Sequence, residues 1–298
     1  MRIAIAGSSG LIGTALSASL VAQGHDVFRL VRRNAVRSDE ISWDPTRSWD
    51  GAQLEGFDAV INLAGVGVGD HRWTRSYKQK IRDSRVITTT HLSQSLAALE
   101  NKPKVLLNAS AIGWYGNTGS TAVDEDSPRG SGFLSTVCAE WEAATTPAEE
   151  AGIRVVHLRT GLVVSGQGGA WQRLIPLFKL GVGGKLGSGQ QYWSSISIVD
   201  QVRAIEFCLT HNELSGAVNL TSPEPLTNAE LTQVMGKVLD KPAVLPVPGV
   251  ALRLALGEFA VETLDSQRVL PKRLLAAGFV FEHPTFEQAF TVALQPAP

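Results

Sequence analysis

The chain has 298 residues, 44% of them hydrophobic and 18% charged, with a formal net charge of −1. That length buries a large core in one large domain or two, and the charge balance offers nothing to attract nucleic acid, an anionic membrane or a polyanionic partner. Two cysteines, Cys138 and Cys208, make neither a disulfide frame nor a metal site. With no signal-peptide pattern and no apolar run that would span a bilayer, a cytoplasmic protein is expected.

Residues 2–6 are an apolar run ending at Gly7, which predicts the first strand. Gly7, Ser8, Ser9 and Gly10 form a turn, and Leu11, Ile12 and Gly13 open a helix over 11–23 with an apolar stripe at Leu11, Ala15, Ala18 and Leu20. Strand, glycine turn and helix N-terminus together make a seat for a pyrophosphate. Glycine lets the backbone come close, and the N–H groups of the first helical turn face the anion. The second strand, 26–31, runs into Arg32 and Arg33, about twenty residues past the glycine loop. An acid at this place bonds the ribose hydroxyls of NAD, whereas an arginine takes the 2′-phosphate of NADP. The nearest acids, Asp39 and Glu40, lie too far into the next loop, so the guanidinium groups of Arg32 and Arg33 point to NADP(H).

A strand over 59–63 leads into Leu63, Ala64 and Gly65, where small residues let a cofactor pass over the strand end. The helix that follows, 76–99, carries Arg85, which reaches the cofactor or makes a surface salt bridge. Strands over 104–109 and 154–158 flank a helix over 133–144. Such alternation predicts an α/β fold, a Rossmann-type doubly wound parallel sheet. After Arg159 the pattern changes to a glycine-rich stretch, 161–189, interrupted by a helix over 171–180. Asp200 is expected to cap a helix over 201–209, and 217–220 reads as a last strand. Helices over 227–239, 250–264 and 286–294 complete a smaller, mostly helical C-terminal lid domain. The expected organisation is a Rossmann domain of residues 1–160 and 197–222, with a substrate or lid domain of 161–196 and 223–298. The glycine-rich run 181–191 is expected on the substrate side. There Trp193 either stacks on a flat ligand group or anchors a flexible loop in the core.

In chain order, Gly7-x-x-Gly10-x-x-Gly13, Asn62-Leu63-Ala64-Gly65, Ser110 ahead of Tyr115-Gly116, and Ile198-Val199-Asp200 resemble the extended short-chain dehydrogenase/reductases. That is the superfamily of NAD(P)-dependent sugar-nucleotide epimerases and dehydratases. Trp43-Asp44-Pro45, Arg72-Trp73-Thr74, Arg82-Asp83-Ser84-Arg85, Arg159-Thr160-Gly161 and Gln267-Arg268-Val269-Leu270-Pro271 narrow the resemblance to an atypical branch, the epimerase family proteins. These are also described as cell-division-inhibitor-like nucleotide-sugar epimerases. The resemblance covers essentially the whole chain. It implies cofactor contacts at the glycine loop, Arg32, Leu63, Ala64 and near Leu162, and it favours cofactor contact for Arg85.

The superfamily's working members use a Tyr-x-x-x-Lys pair, in which the lysine lowers the pKa of a proton-exchanging tyrosine. Four residues beyond Tyr77, Tyr115 and Tyr192 stand Ile81, Gly119 and Ile196, none of them lysine. Aligning Glu142 with the superfamily's later glutamate puts Leu134 at the tyrosine position and Cys138 at the lysine position, so the usual relay is absent. Ser110 and Tyr115 are the candidates for a rebuilt acid or base, with Tyr115 alternatively a packing residue of the cleft wall. Cys138 reads as a small buried hydrophobe or a thiolate, and His157 as a buried, hydrogen-bonded histidine. Asp124, Glu125 and Asp126 form a solvated loop or meet a cation of the lid. The expected function is an NADP(H)-binding oxidoreductase or epimerase-like enzyme acting on a small carbonyl, hydroxyl or nucleotide-sugar-type substrate, with no metal. The alternative is a non-catalytic NADP(H)-sensing module that presents its lid to a protein partner.

Overall fold

Alternation with period two builds the centre of the molecule. In a computed structural model describing residues 1–295, Arg2–Ala6 (β1) buries Ile3 and Ile5 on one face and Ala4 and Ala6 on the other. The last three residues of the segment 223–298 lie outside the described residues. Beside β1 run Asp26–Val31 (β2), Glu40–Ser42 (β3), Ala59–Asn62 (β4), Val105–Ala111 (β5), Arg154–Thr160 (β6) and Gly216–Leu220 (β7). They form one seven-stranded sheet in the order β7-β6-β5-β4-β1-β2-β3, and every pairing is parallel. The strand order reverses between β1 and β4, and ligands of doubly wound sheets bind at the carboxyl ends on either side of such a switch point.

Helices cover both faces. Leu11–Ala22 (α1) and Ile198–Thr210 (α6) pack on Ile3, Ile5, Ile61, Leu107, Val156 and Leu158; the opposite face, with Ala4, Val60 and Leu106, lies against Arg75–Ala98 (α2) and Thr146–Glu150 (α4). Phe133–Ala143 (α3) packs beside α2 and β5. Near-continuous apolar strands are what burial on two sides requires. A further core joins Gly169–Lys179 (α5), Asn228–Leu239 (α7) and Phe286–Ala293 (α11) through Trp171, Phe178, Trp193, Met235, Phe286 and Phe290. Gly249–Leu256 (α8), Ala260–Leu264 (α9) and Lys272–Ala276 (α10) complete the helices described.

Several expectations are corrected. The single helix over 250–264 is broken, because Gly257 adopts φ 65° and a 3-10 turn separates α8 from α9. A short third strand, β3, follows β2 where only a loop was expected. Helix α6 begins at Ile198, and Ser197 is its cap, its Oγ accepting from the Asp200 N–H at 2.9 Å. Asp200 is instead wholly buried, where it accepts from the backbone N–H groups of Glu282 and His283, both at 2.8 Å. The segment around Gly184 is not free to bend: a Cβ there would lie 1.8 Å from the Leu245 carbonyl oxygen, and Leu186 N–H donates to Asn228. Trp193 is 8% exposed and takes the core-anchor alternative, edge-on to Trp171.

Candidate functional site

The site begins at the switch point, where β1 is followed by Gly7 at φ 77°. A Cβ on Gly7 would stand 2.6 Å from the Leu63 carbonyl, and one on Gly13 would stand 2.2 Å from the Gly7 oxygen. Both positions therefore need glycine, one for conformation and both for space. Gly10, at φ −77°, meets only an ordinary contact at 3.4 Å. Helix α1 has Gly10 at its N-cap and so no side-chain cap, and the first-turn amides of Leu11, Ile12 and Gly13 have no partner within the helix. Ser9 and Gly10 are exposed, Ser8 is buried, and Leu63 and Ala64 lie against Gly7. Glycine cradle, exposed turn and uncapped N-terminus fit a dinucleotide pyrophosphate.

At the carboxyl end of β2 the two arginines part company. Arg32 is exposed and makes no hydrogen bond or ion pair among the described residues. Arg33 is committed to Glu40, with Nη1 donating to Oε2 at 2.8 Å and Nη2 to Oε1 at 2.6 Å. The expectation that Arg33 shares the phosphate with Arg32 is thus corrected. Glu40 is not remote in a loop either: β3 pairs with β2 and brings its carboxylate to Arg29 and Arg33. The Arg33 guanidinium and the Val36 N–H hold the Glu40 carboxyl down at about 2. An acid so neutralised is no acceptor for ribose hydroxyls.

Arg85 braces the loop after β4. Its guanidinium donates to the carbonyls of Ile81 and Val66, both at 3.0 Å, and lies 3.2 Å from where a Gly65 Cβ would stand. It also sits 5.1 Å from the Trp141 ring centroid, so the surface salt bridge gives way to a scaffold of backbone carbonyls and an aromatic face. Leu162 follows β6 in a short strand, Leu162–Val164, paired with Ser195–Ser197.

The two hydroxyls expected to carry chemistry are spent in a buried network. Ser110 Oγ donates to Glu142 at 2.7 Å. Tyr115, only 3% exposed, donates to Asn219 Oδ1 at 2.8 Å and accepts from Arg159 at 3.1 Å. Arg159 forks onto Glu142 at 2.8 and 2.9 Å and stacks 3.9 Å over Trp114. Burial pushes the Tyr115 phenol up, away from proton exchange near neutrality. Ser110 and Tyr115 are therefore corrected from candidate catalysts to members of a structural network. Sequence reading passed over Arg159 and Glu142 as a pair, although an arginine inside an apolar strand was itself a signal of a buried partner. His157 is hydrogen-bonded to Thr145 at 2.9 Å, and burial lowers its pKa. Asp124 and Asp126 meet Lys272, whereas Glu125 is buried and accepts from the Asn219 N–H.

At the start of α3, Leu134 and Cys138 face Gly113, at 3.2 and 3.7 Å from where a Cβ on it would stand. Burial pushes the Cys138 thiol up to about 12, so it is neither nucleophile nor base at neutral pH. Leu134 also lines a cavity of about 220 Å³ between the start of α3 and the α8–α9 region, with Trp73 and Phe133 on one side and Glu258, Glu262 and Asp265 on the other. Glu262 and Asp265 were not foreseen, because nothing local distinguishes them from surface acids. Burial, and then the neighbouring Asp265, raise Glu262 to about 7. Among the described residues no helix is long and apolar enough to cross a membrane, and no His, Cys, Asp and Glu group is arranged to hold a metal.

Comparison with known proteins places this geometry in context. Residues 3–220 match the model of the NAD dependent epimerase/dehydratase family, and 247–292 match a domain of unknown function, DUF1731. The chain is 48% identical over 293 residues to Epimerase family protein Mb2239 of Mycobacterium bovis, covering 98% of this chain and 97% of that one. The crystal structure of human epimerase family protein SDR39U1 (isoform 2) with NADPH superposes with a TM-score of 0.91 at 32% identity, over 98% of this chain and 99% of that one. A nucleoside-diphosphate sugar epimerase from Corynebacterium glutamicum superposes at 0.81 with 33% identity, covering 98% of this chain but 58% of its own.

Proposed function

The chain belongs to the NAD dependent epimerase/dehydratase family, and from that premise we propose that it binds NADP(H). We propose further that it is an oxidoreductase or epimerase-like enzyme for a small carbonyl, hydroxyl or nucleotide-sugar-type compound, without the Tyr-x-x-x-Lys pair. The observation that carries the cofactor reading is the free Arg32 beside an Arg33 locked to Glu40. The human relative crystallised with NADPH supports it. In this reading residues 1–160 and 197–222 hold the cofactor, residues 161–196 and 223–298 form the lid, and the protein works in the cytoplasm.

The residues divide the work by position. Gly7, Ser8, Ser9, Gly10, Leu11, Ile12 and Gly13 seat the pyrophosphate on backbone N–H groups, and Arg32 pairs with the 2′-phosphate. Leu63, Ala64 and Gly65 floor the site, Arg85 holds that loop in place, and Leu162 borders it. NADPH, when bound, supplies a hydride for transfer to a carbonyl carbon. Leu134, Trp73 and Phe133 give the cavity beside α3 apolar walls, and burial raises the Glu262 carboxyl there to about 7. The commitment of Ser110 and Tyr115 to Glu142 and Asn219 favours a second reading, a cofactor-sensing module without turnover.

Fluorescence and thermal-shift titrations with NADPH and NADH test the cofactor reading. NADPH is expected to bind more tightly, and Arg32→Ala to weaken it roughly tenfold or more while leaving NADH unaffected. Equal affinity of the unaltered protein for both would remove the NADP assignment. Hydride transfer to any carbonyl in a substrate screen then separates the enzyme from the sensor.

A further inference from the structure

The cavity between α3 and α9 has an unusual charge balance for a sugar-nucleotide site. Its lining includes three carboxylates, Glu258, Glu262 and Asp265, and no lysine, arginine or histidine among the described residues. The nearby cation, Lys78, is already used: Nζ lies 2.6 Å from Glu258 and 4.8 Å from the Phe133 ring centroid. Asp265 accepts one hydrogen bond, from Asn117 at 3.2 Å, and Glu262 makes no hydrogen bond or ion pair among the described residues. Opposite them stand the aromatic side chains of Trp73 and Phe133, edge to face with ring centroids 5.0 Å apart, and the apolar Leu134.

We infer that this cavity receives a small organic cation, an alkylammonium group, and excludes the diphosphate of a nucleotide sugar. The inference rests on the reading of this cleft as the substrate side and narrows its substrate class. A carboxylate withdrawn from water with no counter-charge is costly, and it is relieved either by taking a proton or by receiving a cation. Glu262, raised to about 7, shows the first form of relief and leaves room for the second. An alkylammonium beside a carboxylate and the apolar walls of Trp73, Phe133 and Leu134 gains an ion pair and buries its alkyl chain. A diphosphate would set two negative charges against Glu262 and Asp265, which a 220 Å³ space cannot separate.

Calorimetric titration of the full-length protein with n-butylammonium, 1-butanol and butyrate tests the inference, in the presence and the absence of NADPH. Butylammonium is expected to bind about tenfold more tightly than butanol, with butyrate binding weakest. At pH 7 its heat is expected to vary with the buffer's ionisation enthalpy, because the arriving cation releases the proton of Glu262. The double variant E262Q/D265N is expected to lose that advantage while its NADPH affinity stays unchanged. Proton release is measured on the unaltered protein, so it decides even where the variant folds poorly. Equal binding of butylammonium and butanol, or a heat independent of buffer, overturns the inference. Failure of NADPH to bind, with butylammonium still bound, would overturn the cofactor reading alone.

Discussion

Two carboxylates show how differently one residue type behaves in this molecule. Glu142 lies buried between Arg159 and Ser110, so removing its charge strands a guanidinium in the core. Glu142→Gln is expected to cost about 3–5 kcal/mol in chemical denaturation, the range for breaking a buried pair from one side. A loss within experimental error would mean that Arg159 finds another partner. Glu262 is the opposite case, a carboxyl whose folded pKa of about 7 stands above its ordinary value of 4.5. Between those values the folded state holds the proton and the unfolded state does not, so stability falls as pH rises through that window. Glu262→Gln is therefore expected to leave Tm unchanged near pH 4 and to raise it at pH 8, where the difference between those two values is worth about 3 kcal/mol. A Tm difference independent of pH would show that Glu262 does not titrate in this range.

At the scale of elements, the strand–turn–helix of β1 and α1 depends on two close approaches. Gly13→Ala drives a methyl into the Gly7 carbonyl at 2.2 Å, whereas Gly10→Ala meets its nearest neighbour at 3.4 Å. The first is expected to abolish NADPH binding and lower Tm, and the second to keep the fold with only a modest loss of affinity. Equal behaviour of the two variants in a thermal-shift titration would show that the helix does not pack on the turn as described. The same unit was the most legible part of the chain. Its apolar strand, its glycine spacing and the striped helix are all local patterns, and β1 and α1 fall within a residue of expectation. The α8–α9 break was less legible because the amphipathic pattern continues through Gly257, and only its positive φ turns the chain. Strand β3 escaped because three residues carry too little periodicity to read.

Across the whole molecule, the core of α5, α7 and α11 is separate from the two cores that cover the sheet. Trp171, 1% exposed, packs against Trp193, Phe286 and Phe290 at its centre. Trp171→Ala is expected to cost about 3–5 kcal/mol, and hydrogen exchange should show α5, α7 and α11 losing protection before β1, β4 and β5. Uniform loss across both regions would mean that they unfold as one unit. What the sequence alone determined are features carried by neighbouring residues: the alternating strands, the glycine turn between β1 and α1, and the arginines after β2. Tertiary structure decided which polar groups remain free. Arg33, Ser110 and Tyr115 meet Glu40, Glu142 and Asn219 only when distant strands and helices come into register. Glu262 and Asp265 likewise reach the cavity only once α9 folds back beside α3. Hydrogen bonds and desolvation act over a few ångströms in space, and distance along the chain does not reveal them.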